Sequence, residues 1–212
     1  MILLYIGISL FCLILIWDIA TSKYKNPYTF TIILGEKGSG KSTYLAKLAS
    51  RYIKRGWTVY ADLGNTDVPG VIPVDLSLGV QNLPIREHSV LFIDEASMLY
   101  NNRDFKSFDR KTESWFREQR KHKCKVYAFS QDWSLDLKLR NLADYICMQR
   151  KYLRVFSVTT MYRHKIRLLH SDETHTDEAK FVDDFILLPG GDITFIPRWV
   201  GFFDSSRILS RR

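Results

Sequence analysis

Eight consecutive residues, Gly35-Glu36-Lys37-Gly38-Ser39-Gly40-Lys41-Ser42, constrain this chain more than any other stretch. They fit G-x-x-x-x-G-K-[ST] and lie between the apolar run Phe30–Leu34 and a helical pattern that begins at Lys41, the strand-loop-helix context that gives the motif physical meaning. On average residue usage, a random chain of this length would show the pattern with a probability of about one per cent. Glycines at 35, 38 and 40 let the backbone curl, so that amide N–H groups at the helix start converge on an anion. Lys41 is then placed to neutralise the β- and γ-phosphates of a nucleotide, and the Ser42 hydroxyl to ligand Mg²⁺. Glu36, Lys37, Ser39 and Thr43 complete the loop's nucleotide-binding set.

The pattern on either side reads as an α/β fold with a mostly parallel sheet flanked by helices. Strands are expected near Tyr28–Leu34, Trp57–Ala61, Ser89–Asp94, Lys125–Ser130 and Asp144–Gln149, and helices near Lys41–Arg55, Asp109–Lys121 and Leu135–Leu142. Between Gly64 and Pro84 the chain is rich in Gly, Pro, Asn and Asp, a loop with one short extended piece around Val71–Val74. Beyond Arg150 the character turns β-rich over Tyr152–Thr160 and Met161–Leu169, then polar over Ser171–Lys180, and Phe185–Phe203 is broken by Pro189-Gly190-Gly191 and Pro197. The division expected is an N-terminal anchor over 1–20, an ATPase domain over 28–150 and a β-rich extension over 151–212. A length of 212 residues allows one domain with an appendage and excludes two stacked motor domains, so the Asp94-Glu95-Ala96-Ser97 stretch does not make the chain a two-domain helicase. With 46% hydrophobic and 25% charged residues, low-complexity and broadly disordered readings are excluded.

Val90-Leu91-Phe92-Ile93-Asp94-Glu95 is an unbroken apolar run that ends in two carboxylates, as a central strand buried on both faces would. Asp94 would hold Mg²⁺ with Ser42, directly or through water, and so belongs to both the metal and the nucleotide set. Glu95 is placed to polarise an attacking water as general base. Gln131 follows the strand Lys125–Ser130 at its C-terminal edge, where open α/β sheets gather ligand sites, and would sense the γ-phosphate or orient the water. Arg140 is a candidate for reaching a neighbouring subunit's γ-phosphate, with Arg117, Arg120 and Arg150 as rivals and an ordinary surface role as the plain alternative.

Thirty-one Lys and Arg against 23 Asp and Glu give a formal +8, which favours phosphates or anionic lipid headgroups as partners. Arg103–Lys125 interleaves basic residues with Trp115 and Phe116, either a face that follows a nucleic-acid backbone or a solvated helix face. Cys12, Cys124 and Cys147 form no C-x-x-C pair, so neither a disulfide framework nor a zinc site is expected, and no His has a partner at metal-ligand spacing. From Ile2 to Trp17 every residue is apolar except Gly7 and Ser9, about the minimum run for crossing hydrocarbon. Lys23 and Lys25 follow it, so the positive-inside bias predicts a single-pass anchor with the ATPase domain in the cytoplasm. A buried core helix or strand is the alternative.

Taken together, Gly35–Thr43, Val90–Glu95, the basic segment Arg117–His122, Phe129-Ser130-Gln131 and Leu139-Arg140 resemble zonula occludens toxin-like (Zot) proteins, the assembly ATPases of filamentous phages, within the RecA/FtsK-HerA-like P-loop NTPases. The resemblance covers about Tyr28 to Arg150. It implies an ATP- and Mg²⁺-dependent hydrolase of the host inner membrane. Such an enzyme would form a homo-oligomeric ring, act on single- or double-stranded DNA, and contact phage coat or assembly proteins during virion extrusion or genome packaging. One departure stands out: that family usually carries its span after the ATPase domain, whereas here the apolar run comes first. Two other readings share the loop: a nucleotide-dependent membrane switch or scaffold without steady turnover, and a small-molecule kinase, which explains neither the anchor nor Asp94-Glu95 followed by Gln131.

Overall fold

The computed structural model describes residues 2–21, 24–62, 67–100, 109–169 and 180–202, without the side chains of 2–4, 18, 164–169 and 180–184. Eight strands form one sheet: β1 (Phe30–Leu34), β2 (Thr58–Asp62), β3 (Val71–Val74), β4 (Ser89–Ile93), β5 (Cys124–Ser130), β6 (Tyr145–Tyr152), β7 (Phe156–Leu169) and β8 (Lys180–Phe195). Their order across the sheet is β3-β2-β4-β5-β1-β6-β7-β8. β3 through β6 are parallel, and β7 and β8 add antiparallel to the β6 side. Parallel strands need crossovers, and the chain supplies α2 (Lys41–Lys54), α4 (Arg110–Glu118) and α5 (Leu137–Leu142), with a single short turn of helix, α3 (Ala96–Leu99), after β4.

Both faces of the parallel sheet are covered, which is why β1 and β4 read as continuous apolar runs rather than alternating ones. On one face Ile33, Val59, Val90, Phe92 and Phe129 pack against Leu45, Leu48, Ala49 and Tyr52 of α2. On the other, Phe30, Ile32, Leu91, Ile93 and Val126 meet Trp115 and Phe116 of α4 and Leu139 of α5. The aromatics of the basic helix therefore belong to the core, where Phe116 stands edge-on to Tyr100 and tilts over Phe30. Burying such rings contributes about 1.5–3 kcal/mol apiece. Cys124 and Cys147 are buried and unpaired, acting as small apolar residues.

The boundaries of β1, β2, β4 and β5 fall within two residues of those expected, whereas β6 runs three residues further and the C-terminal part differs in kind. The expected boundary at residue 150 lies inside β6, and the β-rich extension is continuous with the sheet. Leu153 and Arg154, both left-handed (φ 47° and 61°), make the turn into β7. Pro189-Gly190-Gly191 does not break the last strand: β8 runs through it, and the register shift between Thr160 and Tyr162 opposite absorbs the irregularity. Ser171–Lys180 lies almost wholly outside the described residues.

The apolar N-terminus forms α1 (Ile2–Thr21), a 20-residue helix apolar on every side, with the described side chains from Tyr5 to Trp17 exposed. Among the described residues no helix is long and apolar enough to cross a membrane. The expected span is thus unsupported by the fold: at 1.5 Å per residue the uncharged run rises about 24 Å, short of the ~30 Å hydrocarbon core.

Candidate nucleotide site

Because β1, β4 and β5 are parallel, their C-terminal ends share one edge of the sheet, and there the motif residues meet. The loop leaves β1 at Gly35, whose N–H donates to Ser130 O of β5 at 3.2 Å, and turns back where Ser39 N–H donates to Glu36 O at 3.1 Å. It enters α2 through Gly40, left-handed at φ 94°, a conformation that costs a side-chain-bearing residue about 1–2 kcal/mol. Gly40 O then accepts from Tyr44 N–H at 2.9 Å, the first helical bond, and from the Thr43 hydroxyl at 2.7 Å.

Lys41 is 7% exposed and folds its ammonium over the loop, donating to Gly35 O at 2.7 Å and Glu36 O at 3.2 Å. Those carbonyls occupy donors that anionic oxygens would take from them. Burial lowers its pKa, and the charges of Glu95 and Asp94 oppose that shift. Ser42, half-buried, opens the first turn of α2 beside it. Glu36, Lys37 and Gly38 are exposed at the loop's outer bend, and Ser39 is buried.

Asp94 and Glu95 follow β4, two strands from β1, with β5 between them. Asp94 is 7% exposed. Burial pushes its carboxyl up to about 6, with Glu95 adding to the rise; the Glu95 N–H, 3.1 Å from Oδ1, and the Lys41 ammonium pull the other way. A hard-oxygen donor pair of one hydroxyl (Ser42) and one buried, poorly solvated carboxylate (Asp94) suits Mg²⁺, which keeps several waters and takes its other ligands from phosphate. Among the described residues no group of three or more His, Cys, Asp or Glu is placed to hold a metal ion.

Glu95 sits in left-handed backbone at φ 49°, strained for a residue with a side chain. That turn aims its carboxylate along the sheet edge, where Gln131 Nε2 donates to Oε1 at 2.5 Å. Only the amide nitrogen can face a carboxylate, so the Gln131 side chain has one orientation. The structure thus brings together four sequence-predicted groups: Lys41 and Asp94 through charge, Glu95 and Gln131 through a hydrogen bond.

Arg140 is placed differently. Its guanidinium lies 4.8 Å over the ring of Trp133, and Nε is buried with no hydrogen-bond partner among the described residues. Two of the three rivals are engaged on the chain's own surface, Arg117 with Glu113 at 2.8 Å and Arg120 with Asp144, whereas Arg150, on β6, lines a cleft beside the loop. Lys121 and Lys123 pair with Glu118 and Glu87, so much of the basic segment's charge is met by carboxylates.

Two features escaped the sequence reading. Asp62, buried at the end of β2, adds negative potential at Asp94; its strand was expected to stop one residue earlier. On the β6 side of the loop, a cleft of about 950 Å³ is lined by Lys37, Gln131, Trp133, Arg150, Tyr162 and Phe185 among others. No spacing rule could announce it, because its walls come from five segments far apart in the chain.

No family model matches this chain, and no curated protein matches its sequence. Its fold is similar to the crystal structure of the N-terminal domain of zonular occludens toxin from Neisseria meningitidis, with a TM-score of 0.55 at 13% identity over 84% of this chain and 99% of that one. It is also similar to the genome packaging NTPase B204 from Sulfolobus turreted icosahedral virus 2 in complex with sulfate, with a TM-score of 0.52 at 15% identity over 66% of this chain and 92% of that one. Built on the same sheet, with a glycine-rich loop at the edge where its carboxylates gather, the chain has the fold of the zonular occludens toxin N-terminal domain and of a viral genome packaging NTPase.

Proposed function

We propose that the chain binds ATP with Mg²⁺ in the loop Gly35–Thr43 and hydrolyses it. The observation that carries this reading is the convergence of Lys41, Asp94 and the Glu95–Gln131 pair on one sheet edge. Ser42 and Asp94 would hold Mg²⁺, which would neutralise phosphate charge. Lys41 transfers its hydrogen bonds from Gly35 O and Glu36 O to phosphate oxygens. Glu95 orients a water in line with the γ-phosphate and takes its proton, while Gln131 holds the carboxylate in position. Full-length protein should bind Mg·ATP and release phosphate, and Lys41→Ala should lose both; turnover undiminished in that variant would sink the reading.

The finer reading is work on a phage genome: extrusion of DNA during virion assembly, or DNA translocation for packaging. The formal charge of +8 supports a nucleic-acid partner, and the fold likeness to a genome-packaging NTPase supports the class of work. Association into a ring, contact with coat or assembly proteins and residence at the host inner membrane belong to the same reading. For the membrane, support comes from α1: a helix apolar all round and exposed needs an apolar environment. ATPase activity stimulated by single-stranded DNA at low salt, with the stimulation lost at high salt, is the expected signature; a flat response argues for protein partners alone.

A further inference from the structure

The extension beyond Arg150 lies directly against the phosphate loop. Gln149 on β6 and Ser157 on β7 are 3% and 0% exposed, and they meet the loop's backbone rather than solvent. Ser157 Oγ donates to Ser39 O at 2.8 Å. Gln149 Nε2 donates to Gly40 O at 3.1 Å and to Ser157 Oγ at 2.6 Å. These bonds have one direction only. A carbonyl cannot donate, so Ser157 spends its single hydrogen on Ser39 and must accept from Gln149, whose amide nitrogen spends its two hydrogens on Ser157 and Gly40. Gln149 Oε1 is left buried with no partner among the described residues, a cost that the stability of the fold does not require.

The consequence follows from the planarity of the trans peptide. The Ser39 carbonyl shares its peptide unit with the Gly40 N–H, and the Gly40 carbonyl with the Lys41 N–H, each pair pointing in opposite directions. Pinning the Ser39 carbonyl toward β7 therefore aims the Gly40 amide away from it, into the concavity where a phosphate would sit. Gln149 and the first turn of α2, through Tyr44 N–H and the Thr43 hydroxyl, together fix the Gly40 carbonyl and with it the Lys41 amide. The glycines report the same contact: a Cβ on Gly40 would fall 3.0 Å from Ser157 Cβ, and one on Gly35 2.9 Å from Gln149 O. Two of the motif's glycines are thus required by the approach of β6 and β7 as well as by the curl of the loop. A second tie runs behind it, where Asp192 of β8 bridges Lys47 at 2.5 Å and Arg51 at 3.1 Å on α2.

We infer that Gln149 and Ser157 are positioning residues for phosphate binding, orienting the amides of Gly40 and Lys41, so that the C-terminal strands are part of the nucleotide site. This rests on the loop binding nucleotide as proposed above. The test is Mg·ATP affinity of the full chain by calorimetry, alongside thermal unfolding without ligand. Ser157→Ala and Gln149→Met should each weaken binding about 3- to 10-fold, and the double variant about 10- to 100-fold. Gln149→Met should melt no lower than wild type, because it also removes the unpaired Oε1. Ser157→Thr, which keeps the hydroxyl, should bind more tightly than Ser157→Ala. Affinity within twofold of wild type in the folded Gln149→Met protein overturns the inference, as does a Ser157→Thr protein that binds no better than Ser157→Ala. If wild type itself takes up no nucleotide, the underlying reading fails; if wild type binds, Lys41→Ala does not and Gln149→Met binds normally, this inference alone fails.

Discussion

Asp94→Asn in metal-free, nucleotide-free protein should stabilise the fold at neutral and alkaline pH while removing the carboxylate proposed to hold Mg²⁺. Asp94 lies buried next to Glu95 and near Asp62, so its ionised form is poorly solvated and repelled, and Lys41 offsets this only in part. The carboxyl is held at about 6 against an ordinary 3.8, which corresponds to about 3 kcal/mol. The sign follows from which state holds the proton more tightly. A carboxyl raised in the folded state contributes stability that is complete below pH 3.8 and is lost as pH rises through about 6. Asparagine keeps an oxygen for the Glu95 N–H and has no charge to desolvate. The variant should therefore exceed wild type by about 1–3 kcal/mol at pH 8, an increase in melting temperature of about 2–4 °C per kcal/mol for a chain of this size. The advantage should shrink between pH 7 and pH 4. Chemical denaturation of both proteins in EDTA across that range measures it. An Asp94→Asn protein less stable than wild type at pH 8, or a difference that does not vary with pH, would refute the reasoning.

Glu95→Gln should retain Mg·ATP binding within a few-fold but lose steady-state hydrolysis by about 10²–10⁴; undiminished turnover in this variant would remove Glu95 as general base, and binding without steady turnover in wild type and variant alike would favour a switch over an ATPase. Arg140→Ala frees Trp133 from the guanidinium stacked on it. If Arg140 completes a neighbour's site, specific activity of wild type should rise with protein concentration and that rise should vanish in the variant; activity independent of concentration counts against the role. For α1, full-length protein should float with liposomes and a chain beginning at Tyr24 should not; equal flotation of the two would separate membrane binding from this helix.

Much of the site was legible because its signals are local. The loop's glycines, Lys41 and Ser42 must be neighbours in sequence to act together, and the apolar run that ends in Asp94-Glu95 declares a strand buried on both faces. Local patterning likewise marked Gln131 at the end of β5, but not that it would lean toward Glu95, since that depends on β5 being inserted between β1 and β4. Trp115 and Phe116 show the limit from the other side: interleaved with basic residues in sequence, they are turned inward by the 3.6-residue period of α4 once a sheet lies beneath it.

What the sequence alone determined is the glycine-rich loop Gly35–Ser42 and its strand-loop-helix setting, since steric freedom at glycine and the charge of Lys41 need no distant partner. Tertiary structure alone decided what holds that loop in shape. Gln149 and Ser157 carry no motif; they become supports only because β6 pairs with β1 and β7 with β6, which sets two ordinary polar residues against the carbonyls of Ser39 and Gly40. A hydrogen bond across 109 or 118 residues leaves no periodicity in the chain. It exists only where the sheet brings its two ends together.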